Sequence, residues 1–253
     1  MTAMDLGLRG ARALVTAGSK GIGLSCAGAL VAEGARVVIS SRDADRLARA
    51  EREIGAAGHV VADLHRAEDR AQVVAKAAGI LGGLDILILN FPQTTIGTLD
   101  QLPSGAWEAG YQSVLQCAVD LMTAALPHLR LAGRGRIVQI TGIAAREPSP
   151  GFVVSAAYRS AVTAMAKALS SQVAKDGITI NNLAPGSILT EQLRVRLEQR
   201  PDGAASLAAS IPAGRIGAPE DVAAACVFLC STQASYITGQ TIGIDGGALK
   251  GAH

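Results

Sequence analysis

The chain has 253 residues, 49% of them hydrophobic and 17% charged, with a formal net charge of +2. That length suits one α/β domain, and the apolar content suffices for a sizeable core with surface left over for a subunit interface. The scattered basic residues exclude an electrostatic nucleic-acid footprint, and the longest apolar stretch, Val222–Cys230, is far short of the about 18 residues a membrane span needs.

The start of the chain, Met1 to Arg12, lacks a basic-then-apolar leader, so a cytoplasmic protein is expected. Cys26, Cys117, Cys226 and Cys230 form no C-x-x-C pair and read as small buried hydrophobes. His59, His65, His128 and His253 show no ligand spacing either, and no metal site is expected.

The first expected strand, Ala13–Thr16, runs into Thr16-Ala17-Gly18-Ser19-Lys20-Gly21-Ile22-Gly23 and then a helix over Gly21–Glu33. Glycines there let the backbone approach a pyrophosphate, whose charge the free N–H groups and dipole of a helix N-terminus favour. A second strand, Val37–Ser40, ends in Ser40-Ser41-Arg42 and leads to a helix over Asp43–Ala56. An acidic residue at this strand end would take ribose hydroxyls. Arg42, together with Lys20, suits a 2′-phosphate instead, so NADP is expected over NAD.

The third strand, Val60–Ala62, precedes a helix over Arg66–Leu81, and the fourth, Leu84–Asn90, precedes a long helix over Ser104–Arg130. The fifth, Ile137–Thr141, is followed by the proline-stiffened loop Arg146–Gly151 and a helix over Val153–Lys175. The sixth, Ile178–Leu183, precedes a stretch, Ser187 to Ala213, that carries Arg194, Arg196 and Arg200. These arginines suit a solvated helix face better than an anionic substrate. A helix over Pro219–Cys230 and a strand over Thr241–Ile244 complete the alternation. Strand and helix in strict alternation, with continuous apolar strands, give a Rossmann-type, doubly wound parallel sheet in a single domain, 1–253. Such a sheet takes its ligand at the carboxyl ends of the strands, where the strand order reverses.

These motifs in this order resemble the short-chain dehydrogenase/reductase family over nearly the whole chain. Thr16–Gly23 is similar to the family's T-G-x-x-x-G-x-G, with Ala17 in place of the first glycine. Asp63-Leu64 matches the pair that holds adenine, and Leu89-Asn90-Phe91-Pro92 stands where the family has N-N-A-G. Asn181, Pro185-Gly186, Ile188 and Thr190 match the segment at the carboxamide end of nicotinamide. Arg215, Gly217, Pro219-Glu220, Tyr236–Gln240 and Asp245-Gly246-Gly247 match the C-terminal signature. The resemblance is strongest to the 3-oxoacyl-carrier-protein reductase branch. It implies a nicotinamide cofactor bound by Ala17, Ser19, Lys20, Gly21, Ile22, Gly23, Ser41, Arg42, Asp63, Leu64, Asn90, Phe91, Arg159, Pro185, Gly186, Ile188 and Thr190. It also implies a small carbonyl or alcohol substrate, with an acyl thioester as one candidate, and a homotetramer built on the two long helices.

The family's chemistry rests on an Asn, a Ser, a Tyr and a Lys. Counting back from Asn181 without gaps, those places fall on Val114, Gly142, Ser155 and Arg159. The candidate catalytic residues are then Ser155, Arg159, Tyr158 and Thr141. Ser155 is a poor proton donor, Arg159 keeps a positive charge, Thr141 offers a hydroxyl, and Tyr158 either rebuilds an acid or simply packs. Two readings stand: an oxidoreductase with a remodelled centre, and a catalytically silent cofactor-binding or scaffolding subunit on the same fold.

Overall fold

Continuous apolar strands need cover on both faces, and the helices between them supply it. The computed structural model describes residues 5–199 and 202–251; Arg200 and His253 lie outside them. Seven strands, β1 (Arg12–Val15), β2 (Arg36–Ser41), β3 (Gly58–Val61), β4 (Ile86–Asn90), β5 (Arg136–Ile140), β6 (Thr179–Pro185) and β7 (Thr241–Ile244), form one sheet. Their order is β3-β2-β1-β4-β5-β6-β7, and every pairing is parallel. Helices α1 (Gly21–Ala32), α2 (Ala44–Ile54) and α9 (Pro219–Cys230) close one face around Cys26, Leu47 and Val222. Helices α3 (Ala67–Leu81), α5 (Cys117–Ala132) and α6 (Val153–Val173) close the other around Val73, Leu121 and Val162.

Three strands start one residue before their apolar runs, and each new first residue is an arginine whose head group is bonded beyond the sheet. Arg12 donates to Asp85 at 2.8 and 2.9 Å, Arg36 to the Leu81 carbonyl at 2.9 Å, and Arg136 to the Ser231 carbonyl at 3.2 Å. Their hydrocarbon stems let them serve as strand residues.

The long helix expected over Ser104–Arg130 is not continuous. It begins as α4 (Ala106–Gly110), widens into a π-helical turn over Tyr111–Gln116, and resumes as α5. Two short helices, α7 (Glu191–Glu198) and α8 (Gly203–Ser210), lie in the segment after β6. No helix among the described residues is long and apolar enough to cross a membrane.

A polar network runs along the π turn. Arg70, 2% exposed, donates to Asp120 at 2.7 Å, to Gln112 at 2.9 Å and to the Leu64 carbonyl at 3.0 Å. Gln116 donates to Asp120 at 2.7 Å and accepts from the Tyr111 hydroxyl at 2.8 Å. One buried guanidinium therefore ties α3, the π turn and the loop after β3 together. Replacing it by Ala takes one donor from the Asp120 carboxylate and leaves the Gln112 amide oxygen and the Leu64 carbonyl without the guanidinium. The Arg70→Ala protein should lose about 3–5 kcal/mol of stability, which thermal unfolding should register as a fall of about 10 °C in Tm.

Candidate functional site

A cavity of about 1020 Å³ opens at the carboxyl ends of the strands, beside the place where the order turns between β1 and β4. Its first wall is the turn between β1 and α1. Ala17, Ser19, Lys20, Gly21 and Ile22 line it; Gly23 does not, and its part is close packing. A Cβ at Gly23 would collide with the Ala17 carbonyl and come within 2.7 Å of Asn90 Nδ2. Asn90 Nδ2 donates to that same carbonyl at 3.2 Å, and its backbone N–H donates to Thr16 Oγ1 at 3.0 Å. The end of β4 thus holds the turn in shape. Helix α1 has no side-chain cap and no acidic residue in its own first turn, so its leading N–H groups have no anion from the helix itself, and Gly21 and Ile22 of that turn line the cavity. That arrangement fits a pyrophosphate.

The wall from β2 carries Ser41 and Arg42. Ser19 donates to Ser41 Oγ at 3.0 Å, and Arg42 makes no ion pair among the described residues. After β3, Asp63 and Leu64 line the cavity. Asp69 accepts from the Asp63 N–H at 2.8 Å, and Arg70 donates to the Leu64 carbonyl, so this turn is fixed from beneath. After β6, Pro185, Gly186, Ile188 and Thr190 complete the far wall. The residues present therefore fit an adenine dinucleotide with a 2′-phosphate. The uncapped first turn of α1 lines the cavity, and so do Lys20, Ser41 and Arg42.

The other end holds Thr141, Gly142, Ser155 and Arg159, all of which line the cavity. Arg159 Nη1 donates to the Ile140 carbonyl at 2.9 Å and also to the Thr141 carbonyl, and the guanidinium lies 5.8 Å from the centre of the Phe91 ring. Burial lowers its pKa to about 10, which leaves it cationic near neutral pH. No carboxylate pairs with it, and Nε and Nη2 meet no acceptor among the described residues.

Of the two roles open to Tyr158 the structure shows the packing one, and it gives the Thr141 hydroxyl and Val114 other partners than the cavity. Tyr158 does not reach the cavity. Its ring packs against Trp107 at 5.9 Å and Tyr111 at 6.2 Å, between α6 and the segment of α4 and the π turn. Burial, then the charges of Glu108 and Tyr111, push its phenol above the usual range, the wrong direction for an acid near neutral pH. The Thr141 hydroxyl donates to the Leu183 carbonyl at 2.9 Å, so its proton serves the sheet rather than a substrate. Val114 is fully buried within the π turn, outside the cavity.

Two acidic residues that the motifs did not mark also line the cavity. Glu147 accepts from the Lys250 and Gly251 N–H groups at 2.5 and 2.8 Å, fastening the C-terminal tail to the loop after β5. Glu191, at the start of α7, accepts from Lys20 at 3.2 Å and from Arg46 at 3.3 Å. Arg196 lines the cavity and Arg194 does not.

A family model described as enoyl-(acyl carrier protein) reductase matches residues 16–248. Dehydrogenase/reductase SDR family member 4 of Bos taurus is 36% identical over 243 residues, which cover 94% of this chain and 87% of the relative. A 3-oxoacyl-[acyl-carrier-protein] reductase of Salmonella typhimurium is 31% identical over 245 residues, 96% of this chain and 98% of the relative. The structure of L-sorbose reductase from Gluconobacter frateurii, complexed with NADPH and L-sorbose, superposes with a TM-score of 0.93 at 31% identity. The match covers 98% of this chain and all of that one.

Ala17 is the one non-glycine residue with positive φ, +46°, among the described residues. A left-handed alanine costs roughly 1–2 kcal/mol, and glycine recovers most of that against its greater unfolded-state entropy. Ala17→Gly should therefore raise Tm by about 1–2 °C in thermal unfolding rather than lower it.

Proposed function

The chain belongs to the short-chain dehydrogenase/reductase family, and from that premise we propose that it is an NADP(H)-dependent oxidoreductase acting on a ketone or secondary alcohol through a remodelled centre. The observation that carries the reading is the cavity itself. An unpaired helix N-terminus meets Lys20 and Arg42 at the switch point of the sheet, and the related L-sorbose reductase carries NADPH. NADP(H), when bound, supplies or accepts the hydride. The α1 N–H groups would hold its pyrophosphate, Ser41 and Arg42 with Lys20 its 2′-phosphate, and Asp63-Leu64 its adenine. Asn90 and Phe91 line the cavity between these groups and Arg159 and would border the bound cofactor. Pro185, Gly186, Ile188 and Thr190 would hold the amide end, and Arg159, whose Nε and Nη2 meet no acceptor among the described residues, would bind ribose hydroxyls or a substrate oxygen.

What this chain no longer supplies is a proton donor at that end. Ser155 replaces the family's phenol with an aliphatic hydroxyl, and Gly142 offers no side chain at all. Arg159 can stabilise a developing oxyanion but does not release a proton. Carbonyl reduction is therefore slow by the usual route, because proton transfer of this kind is worth roughly 10²–10⁴-fold. The same absence supports a second reading, a catalytically silent cofactor-binding subunit. We place the protein in the cytoplasm and read it as a homotetramer. Exposed Val119 and a shallow groove between α5 and α6, lined by Met122, Leu126, Met165 and Leu169, support a subunit contact along these helices.

Three measurements test this reading. Arg42→Ala should weaken NADPH binding about tenfold or more while leaving NADH nearly unchanged, since charge-assisted contacts to a phosphate contribute about 1.5–3 kcal/mol. Equal dissociation constants for the two cofactors in the parent protein would remove the basis for NADP. For catalysis, Ser155→Tyr combined with Arg159→Lys should raise ketone reduction by about a hundredfold or more, and Tyr158→Phe alone should change it little. Gly142 is left as it is, because its φ of +145° would strain a serine. Brisk parent turnover abolished by Tyr158→Phe would overturn the silent-acid reading. Light scattering at micromolar concentration should give the mass of several chains; the mass of one chain would remove the tetramer.

A further inference from the structure

The carboxylate of Glu191 bridges three parts of the chain that follow three different strands. It belongs to the first residue of α7, after β6. It accepts from Lys20, in the turn after β1, at 3.2 Å and from Arg46, on α2 after β2, at 3.3 Å. Thr190, next to it, closes on the same turn: a Cβ at Gly21 would lie 3.4 Å from its Cγ2. Lys20 lowers the Glu191 pKa, with Arg46 adding to the effect. Arg46 also pairs with Asp43 at 3.4 Å, whereas Arg42, on the same rim, has no anionic partner among the described residues.

The bridge is weak by construction. The Lys20 side chain is 55% exposed and that of Glu191 62%, so water and salt screen it. Yet it engages one of the two cations that the cofactor reading assigns to the 2′-phosphate. A dianionic phosphate drawn to Lys20 and Arg42 meets a carboxylate already there, and two like charges cannot share one ammonium cheaply. NADH brings no such charge and leaves the bridge alone.

We propose that Glu191 is a specificity-determining residue that sets the discrimination between NADPH and NADH. Its carboxylate is the internal counter-ion of Lys20 and Arg46, and the 2′-phosphate displaces it, unclipping the start of α7 from the turn between β1 and α1. Binding and release are linked: whatever frees Glu191 tightens NADPH, and NADPH frees Glu191. The assignment rests on the reading that Lys20 and Arg42 receive the 2′-phosphate.

The test is binding, with and without the nicotinamide half. Dissociation constants for NADPH, NADH, adenosine 2′,5′-bisphosphate and 5′-AMP are compared in the parent protein and in Glu191→Gln, whose side chain is exposed and keeps its shape. The substitution should tighten NADPH and the bisphosphate by about threefold to tenfold, and move NADH and 5′-AMP by less than about twofold. The gain should shrink in about 0.5 M salt. Hydrogen exchange over Glu191–Glu198 should quicken when the bisphosphate binds the parent protein, and should not respond to 5′-AMP. Weaker NADPH binding in Glu191→Gln, equal shifts for NADPH and NADH, or unchanged constants beside a clear parental preference for NADPH would each overturn the role of Glu191 alone. A parent protein that binds NADPH no better than NADH would overturn the cofactor reading and this assignment with it.

Discussion

A parallel sheet that winds outward in both directions from β1 and β4 has to leave a crevice at its carboxyl edge, because the connections after those strands depart to opposite sides. Everything that can bind here depends on that opening. It places the turn after β1, the strand ends of β2 and β3, and the segment after β6 around one cavity, although they are far apart in sequence. It also places the first turn of α1, which has no side-chain cap and no acidic residue of its own, along the cavity, so part of the electrostatic demand of the site exists before any ligand arrives.

The fold was legible in the sequence because its two signals are strong and local. Apolar runs such as Val37–Ser40 and Ile137–Thr141 are too short for helices, and the segments between them suit helical cover. The strand ends were less legible, because an arginine at a strand start looks polar until its partner is known. Arg12 and Asp85 are such a pair, 73 residues apart. The π turn at Tyr111–Gln116 has no local signature at all. It is held by Arg70 and Asp120, from two other segments, which no window along the chain brings together.

The site divides in the same way. Residues whose role lies in the backbone or in their position after a strand, such as Ser41, Asp63 and Pro185, could be placed by counting from the strands. Residues whose role depends on side-chain direction could not. Tyr158 and Arg159 are neighbours in sequence, yet one ring lies among Trp107 and Tyr111 while the other head group faces the cavity, because successive helix positions are turned by about 100°. Glu191 carries no motif, and only the approach of α7 to the turn after β1 reveals what it touches.

The Arg159 end has a logic of its own. A guanidinium taken out of water without a carboxylate loses solvation, and here two backbone carbonyls and the Phe91 face restore part of it. A lysine ammonium at this position could not match that arrangement, since the planar fork spends Nη1 on the carbonyls and still leaves Nε and Nη2 without an acceptor among the described residues. Phe91 and Arg159 thus form one unit, an aromatic ring supporting a cation whose free edge has no acceptor of its own. The arrangement suits a ligand that brings electron density to that edge, since Nε and Nη2 of Arg159 meet no acceptor among the described residues.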